Sequence, residues 1–134
     1  MIKVIVKEPY KDPEIKTVES SLKTWQEIVG GYIETIPFPG IKGAVIILNE
    51  EGKLDALDGN FWVPHYDDFI VGSVAIVGSG DDDFESLSDN QIKGILKHIE
   101  KFKLEPNQNI YSDYKDLKEL MSERLKKFNN QEMA

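Results

Sequence analysis

Two apolar segments, residues 43–48 (GAVIIL) and 70–77 (IVGSVAIV), constrain this chain more than anything else in it. Each is too short and too rich in β-branched residues for a buried helix. Segment 43–48 is continuously apolar instead of alternating, which suits a strand covered on both faces, and it reads as the central strand; segment 70–77 reads as another strong strand. A chain of 134 residues suffices for one such core.

The remaining elements follow from local pattern. Ile2, Val4 and Val6 alternate with polar residues in a first strand. A Pro-bounded turn over 8–13 returns the chain into a second strand at 14–18. Ser20 or Ser21 caps a short helix carrying Leu22, Trp25, Ile28 and Val29, which Gly30 and Gly31 end. Residues 32–38 alternate as a third strand. The Asn and Gly of 49–53 predict a tight turn with Leu54 opening a returning hairpin arm. Residues 69–77 form one further strand, with Gly72 as a bulge.

An acidic turn over 78–85 precedes a capping box, in which Ser88 and Gln91 satisfy each other's backbone N–H groups. Ile92, Ile95, Leu96, Ile99 and Phe102 form the apolar face of the helix that follows. A last helix, 113–128, carries Tyr114, Leu117, Leu120, Met121, Leu125 and Phe128. The expected fold class is α+β: a mostly antiparallel sheet of five to six strands, with one short helix and two C-terminal helices packed on one face. Residues 1–128 form a single domain, and 129–134 form a frayed tail.

Composition narrows function. There is no Cys, so thiolate metal sites and disulfides are excluded, and a reducing compartment such as the cytoplasm fits. The opening residues lack the apolar stretch of a signal peptide, and no apolar run approaches the roughly 20 residues that cross a bilayer. A net charge of −8 disfavours general nucleic-acid or membrane binding. Walker, nucleophile-elbow, zincin and dinucleotide-binding patterns do not occur. No cofactor is expected, and the chain reads as a non-enzyme.

The irregular segment 55–68 (DALDGNFWVPHYDD) concentrates the candidate chemistry. Its aromatics either fold inward to plug the sheet or stand exposed as a binding surface. On the second reading Asn60, Phe61, Trp62, His65 and Tyr66 are the contact residues. His65 with Asp67 or Asp68, and Asp55 and Asp58 upstream, offers a weaker alternative, a metal site in a metal-dependent hydrolase. A solvated Asx-rich turn is the simpler reading. The acidic turn 80–85 lacks the ligand spacing of an EF-hand. His98 sits at the boundary of an apolar helix face, and the lysines of the last two helices alternate with carboxylates as on an ordinary charged surface.

The opening MIKVIVKEP, the helix end IVGGYIE, the turn NEEGKL with Asn60 beyond it, the strand DDFIVGSVAIVG and the segment DDDFESLSDNQI resemble a domain family of unknown function, family 3846. The likeness spans about residues 1–100, with the family-like region reaching 104 and the helix 111–128 added to it. The family is widespread in phages, plasmids and other mobile elements of bacteria. Members often carry Arg after the Asn, in a Leu-Pro context. Here Asn60 is followed by Phe61, and Leu57-Asp58-Gly59 replaces the Leu-Pro. The resemblance supplies no catalytic residues and implies an accessory protein of a mobile element, active in counter-defence or host modulation. The expectation is sequestration of a host protein or, alternatively, of a small nucleotide-like ligand. A decoy for a DNA-binding protein is a weaker option, and exposed sheet edges make a homodimer a further possibility.

Overall fold

The structure is a computed structural model that describes residues 1–133, with side chains as far as Asn129. The strands are β1 (Ile2–Lys7), β2 (Glu14–Val18), β3 (Ile33–Pro37), β4 (Ala44–Asn49), β5 (Gly59–Val63), β6 (Asp68–Val71), β7 (Val74–Ser79) and β8 (Phe84–Glu85). The helices are α1 (Leu22–Val29), α2 (Asp89–Phe102) and α3 (Ile110–Met133). Six strands make an antiparallel sheet in the order β2-β1-β7-β4-β3, with β8 paired to the end of β7. β5 and β6 form a separate two-stranded ribbon. The fold is thus α+β, as the pattern of elements predicts.

The central strand is β7, not the 43–48 segment. β7 pairs with both β1 and β4, and its side chains feed two cores. Val74 and Ile76 face α2 and the ribbon, while Ala75 and Val77 face Trp25 and Val29 of α1. α1 therefore covers the opposite face of the sheet from α2, and the helices do not share one face. α3 packs Leu117 and Met121 on Trp62, Phe69, Val71 and Phe102, so the ribbon is a layer between two cores.

The ribbon exists because the run 69–77 is broken. Gly72 adopts φ +75, in the left-handed region, and its N–H donates to the Asp58 carbonyl at 2.8 Å. The chain leaves β6 in the ribbon and enters β7 in the sheet, where one continuous strand with a bulge was expected. The segment 55–68 is correspondingly not an irregular loop. Its middle is β5, with Phe61, Trp62 and Val63 all buried. No hairpin arm begins at Leu54, because residues 49–57 close successive turns, with the Asp55 N–H on the Glu51 carbonyl (2.8 Å) and the Leu57 N–H on the Gly52 carbonyl (2.9 Å).

Helix ends follow local chemistry. The Ser21 hydroxyl accepts from the Thr24 N–H, and Gly30 closes α1 at φ +76. Ser88 and Gln91 make the reciprocal capping box of α2. α3 starts three residues earlier than its apolar stripe indicates. The Asn109 side chain accepts from the Tyr111 N–H at 2.8 Å and so caps the helix, and a non-helical Asp113 kinks the first turn. The helix continues through the expected frayed tail to Met133; Ala134 lies outside the described residues. Among the described residues no helix is long and apolar enough to cross a membrane.

Gly72→Ala places a Cβ in a left-handed conformation and 2.9 Å from Leu57 Cδ1. It should cost about 1–3 kcal/mol in urea denaturation. Gly40→Ala, at φ +83 with open space around it, should cost less, about 1 kcal/mol.

Candidate functional site

Of the five residues expected to make contacts, three serve the interior. Asn60 is fully buried, and its Nδ2 donates to the carbonyls of Lys7 (2.8 Å) and Gly72 (2.9 Å). Its own carbonyl accepts from the Leu104 N–H at 3.1 Å. One residue thereby ties β1, the β6–β7 turn and the end of α2. Its Oδ1 is buried without a partner among the described residues. Phe61 points toward the sheet, stacked on Phe38 with centroids 6.4 Å apart. Trp62 points the other way, edge-on to Phe102 at 5.7 Å.

His98 completes this packing. Its Nε2 lies 2.9 Å from the Trp62 carbonyl, which can only accept, so Nε2 carries the proton. Its ring sits edge-on to Phe38 and Phe61. Burial lowers its pKa below the ordinary imidazole value, outweighing the backbone hydrogen bond.

A second buried polar group was not foreseen. Lys7 alternates with Val4 and Val6 and so shares a face with Ile5, which points to α2 and the ribbon. That face is covered, and Lys7 is left 1 % exposed with its Nζ on the Glu8 carbonyl at 2.7 Å. Desolvation, then the nearby Lys103, lowers its pKa to about 8, against the pull of Asp12, Glu105 and Glu8.

The exposed candidates are His65 and Tyr66, on a single 3-10 turn over Pro64–Tyr66 at the tip of the ribbon. Pro64 starts the turn, and Asp67, at φ +50, ends it by donating its N–H to the Pro64 carbonyl at 3.0 Å. The carboxylates beside His65 do not converge on it. Asp67 pairs with Lys118 at 2.7 Å, raising the lysine's pKa, and Asp68 pairs with Lys53. Among the described residues no group of three or more His, Cys, Asp or Glu side chains is placed to hold a metal ion. In the 80–85 turn, Asp83 is spent on the Ser20 hydroxyl and the Phe84 N–H.

Tyr66 lines a cleft of about 280 Å³ between the β3–β4 edge and β6. Ile36, Leu48 and Ile70 contribute apolar lining, and Glu34, Glu50, Lys53 and Asp68 supply charge. The Tyr66 hydroxyl donates to the Pro37 carbonyl at 2.7 Å, joining the ribbon tip to β3. Burial lowers the Lys53 pKa, with Glu34 pulling it back up. Around the cleft stand three exposed apolar or aromatic side chains: Leu54 (83 %), Tyr66 (37 %) and Tyr114 (40 %). Tyr114 rests edge-on against Phe69 at 5.8 Å, and its hydroxyl lies 3.4 Å from Asp68. Leu54 was read as strand and Tyr114 as core; only Tyr66 was anticipated as a contact.

A family model described as a domain of unknown function (DUF3846) matches residues 2–103. The chain belongs to this family. No curated protein and no solved structure matches it. The DUF3846 match contains Lys53, Leu54, Tyr66 and Asp68, whereas Tyr114 and Lys118 stand on α3, beyond its end. The cleft face is therefore composite, with one wall drawn from the DUF3846 region and a flank from the added helix.

The buried ammonium of Lys7 gives a pH signature. Its folded pKa, about 8, lies below the unfolded value of 10.5, so the unfolded chain holds more protons between them and stability rises with pH across that window. Below pH 8 the full penalty applies, on the order of 3 kcal/mol. Lys7→Met should be more stable than wild type at pH 7 by up to that amount. In urea titrations the difference should shrink as pH approaches 10.5.

Proposed function

We propose that this protein is a non-catalytic binding protein, encoded by a phage or another mobile element, that acts by occupying a protein of its bacterial host. The observation that carries the reading is the cluster of Leu54, Tyr66 and Tyr114 around an apolar-lined, charge-rimmed cleft. Large apolar and aromatic side chains left in water at one place cost the free protein hydration free energy. Tyrosine is the residue type that repays this best in a complex, because its ring buries much area at little cost in rotamer entropy and its hydroxyl still finds a polar partner.

The face is also held in shape before any encounter. Tyr66 is fixed by Pro37, Tyr114 by Phe69, and Lys53 by Asp68, so little ordering is left for binding to supply. His65 stands beside Tyr66, ring to ring at 5.4 Å, and extends the face. Asn60, Phe61 and Trp62 support it from within. The resemblance to a family spread through phages and plasmids favours a host target and a role in counter-defence or host modulation.

Leu54→Glu and Tyr66→Lys alter exposed side chains and should leave the thermal unfolding midpoint within a few degrees. Immobilised wild type exposed to lysate of the native host should retain one protein in near-stoichiometric amount. Each variant should retain it at least about tenfold less well, the loss of about 1.4 kcal/mol or more that a hot-spot residue gives. Retention of nothing by wild type, or equal retention by both folded variants, would contradict this assignment.

A further inference from the structure

On the far side of the 64–66 turn lies a second cleft, of about 590 Å³, bounded by that turn, the 39–41 bend and α2. The whole chain carries a net charge of −8, yet the described residues lining this cleft include Lys97, Lys101, His65 and His98 and no carboxylate. Lys97 is exposed and has no ion-pair partner among the described residues, and His65 meets the ring of Tyr66. Lys101 lies over the Phe128 ring at 4.7 Å. His98 spends its Nε2–H on Trp62 and, with its pKa lowered, presents a neutral wall. Val63, Phe102 and Leu125 make much of the remainder apolar.

The chemistry of such a cleft is specific in one respect. A cation on a concave, low-dielectric wall concentrates anions, and apolar walls reward a ligand whose other end is not charged. A polyanion is kept away by the charge of the molecule as a whole, but a small anion is repelled far less. The volume lies within the range of ordinary small-ligand sites. We infer that this cleft binds a small organic phosphate, a phosphate group on an aromatic-bearing body of nucleoside size, with the phosphate at Lys97. This goes beyond the protein-binding face, with which the cleft shares only His65.

The test is isothermal titration calorimetry with adenosine monophosphate, adenosine and inorganic phosphate as probes. The wild type is compared with Lys97→Glu and with Lys23→Glu, an equal change of net charge on exposed α1. Adenosine monophosphate should bind wild type at sub-millimolar concentration, and adenosine and phosphate each about tenfold or more weakly. Lys97→Glu should weaken the nucleotide about tenfold, while Lys23→Glu should stay within about twofold. No heat from the nucleotide at several millimolar would overturn the assignment. So would equal losses in the two lysine variants, which would reduce the effect to net charge. Phosphate binding as tightly as the nucleotide would remove the apolar half of the site, and adenosine binding as tightly would remove the role of Lys97. Because the partner-capture experiment depends on Leu54 and Tyr66, either result can fail without the other.

Discussion

The side-chain amide of Asn60 is the point at which the layers of this molecule meet. Two carbonyls from different elements, Lys7 of β1 and Gly72 of the β6–β7 turn, converge on this buried amide, and one Nδ2 serves both. Leaving a buried carbonyl unpaired costs about 1–3 kcal/mol, so a single side chain removes a penalty large against the net stability of a small domain. The same residue takes the Leu104 N–H through its main chain and so fixes where α2 ends. Sheet, ribbon and helix are thereby set in register, and with them the 64–66 turn that separates the two clefts.

Much of the fold was legible because its signals are local. β1, β2 and α1 follow from alternation, a serine cap and a left-handed glycine, and α2 from a capping box four residues long. The misread parts depend on distant groups. The run 69–77 is apolar throughout, and nothing in its own composition says that Gly72 divides it, since the partner that holds the turn is Asp58, fourteen residues back along the chain. β5 was hidden by its own neighbours. Gly59, Asn60 and Pro64 are turn formers by propensity, and here the burial of Phe61, Trp62 and Val63 between two cores overrides them.

The same distinction governs the candidate site. Tyr66 could be found because Pro64 and the Asp pair mark a turn, and a tyrosine on a turn at the surface is a plausible contact. Leu54 and Tyr114 could not, since an apolar residue after a turn and one in a helix stripe both look like core until the turns of 49–57 and the kink at Asp113 place them outside. Lys7 shows the converse. A lysine alternating with buried valines reads as a solvated side chain, and only the ribbon and the α2–α3 connection close over it, at a cost visible in its lowered pKa.

The central claim is that residues 59–72 are an integral layer of the fold and not a loop lying on it. Native-state amide hydrogen exchange addresses it directly through two amides outside the strand ladders, those of Leu104 on the Asn60 carbonyl and Gly72 on the Asp58 carbonyl. If the claim holds, both should exchange only with global unfolding, at the free energy of the β7 amides Val77 and Ile76. Exchange through a local opening several kcal/mol below that of β7 would show that the ribbon lifts from the sheet and would contradict the account.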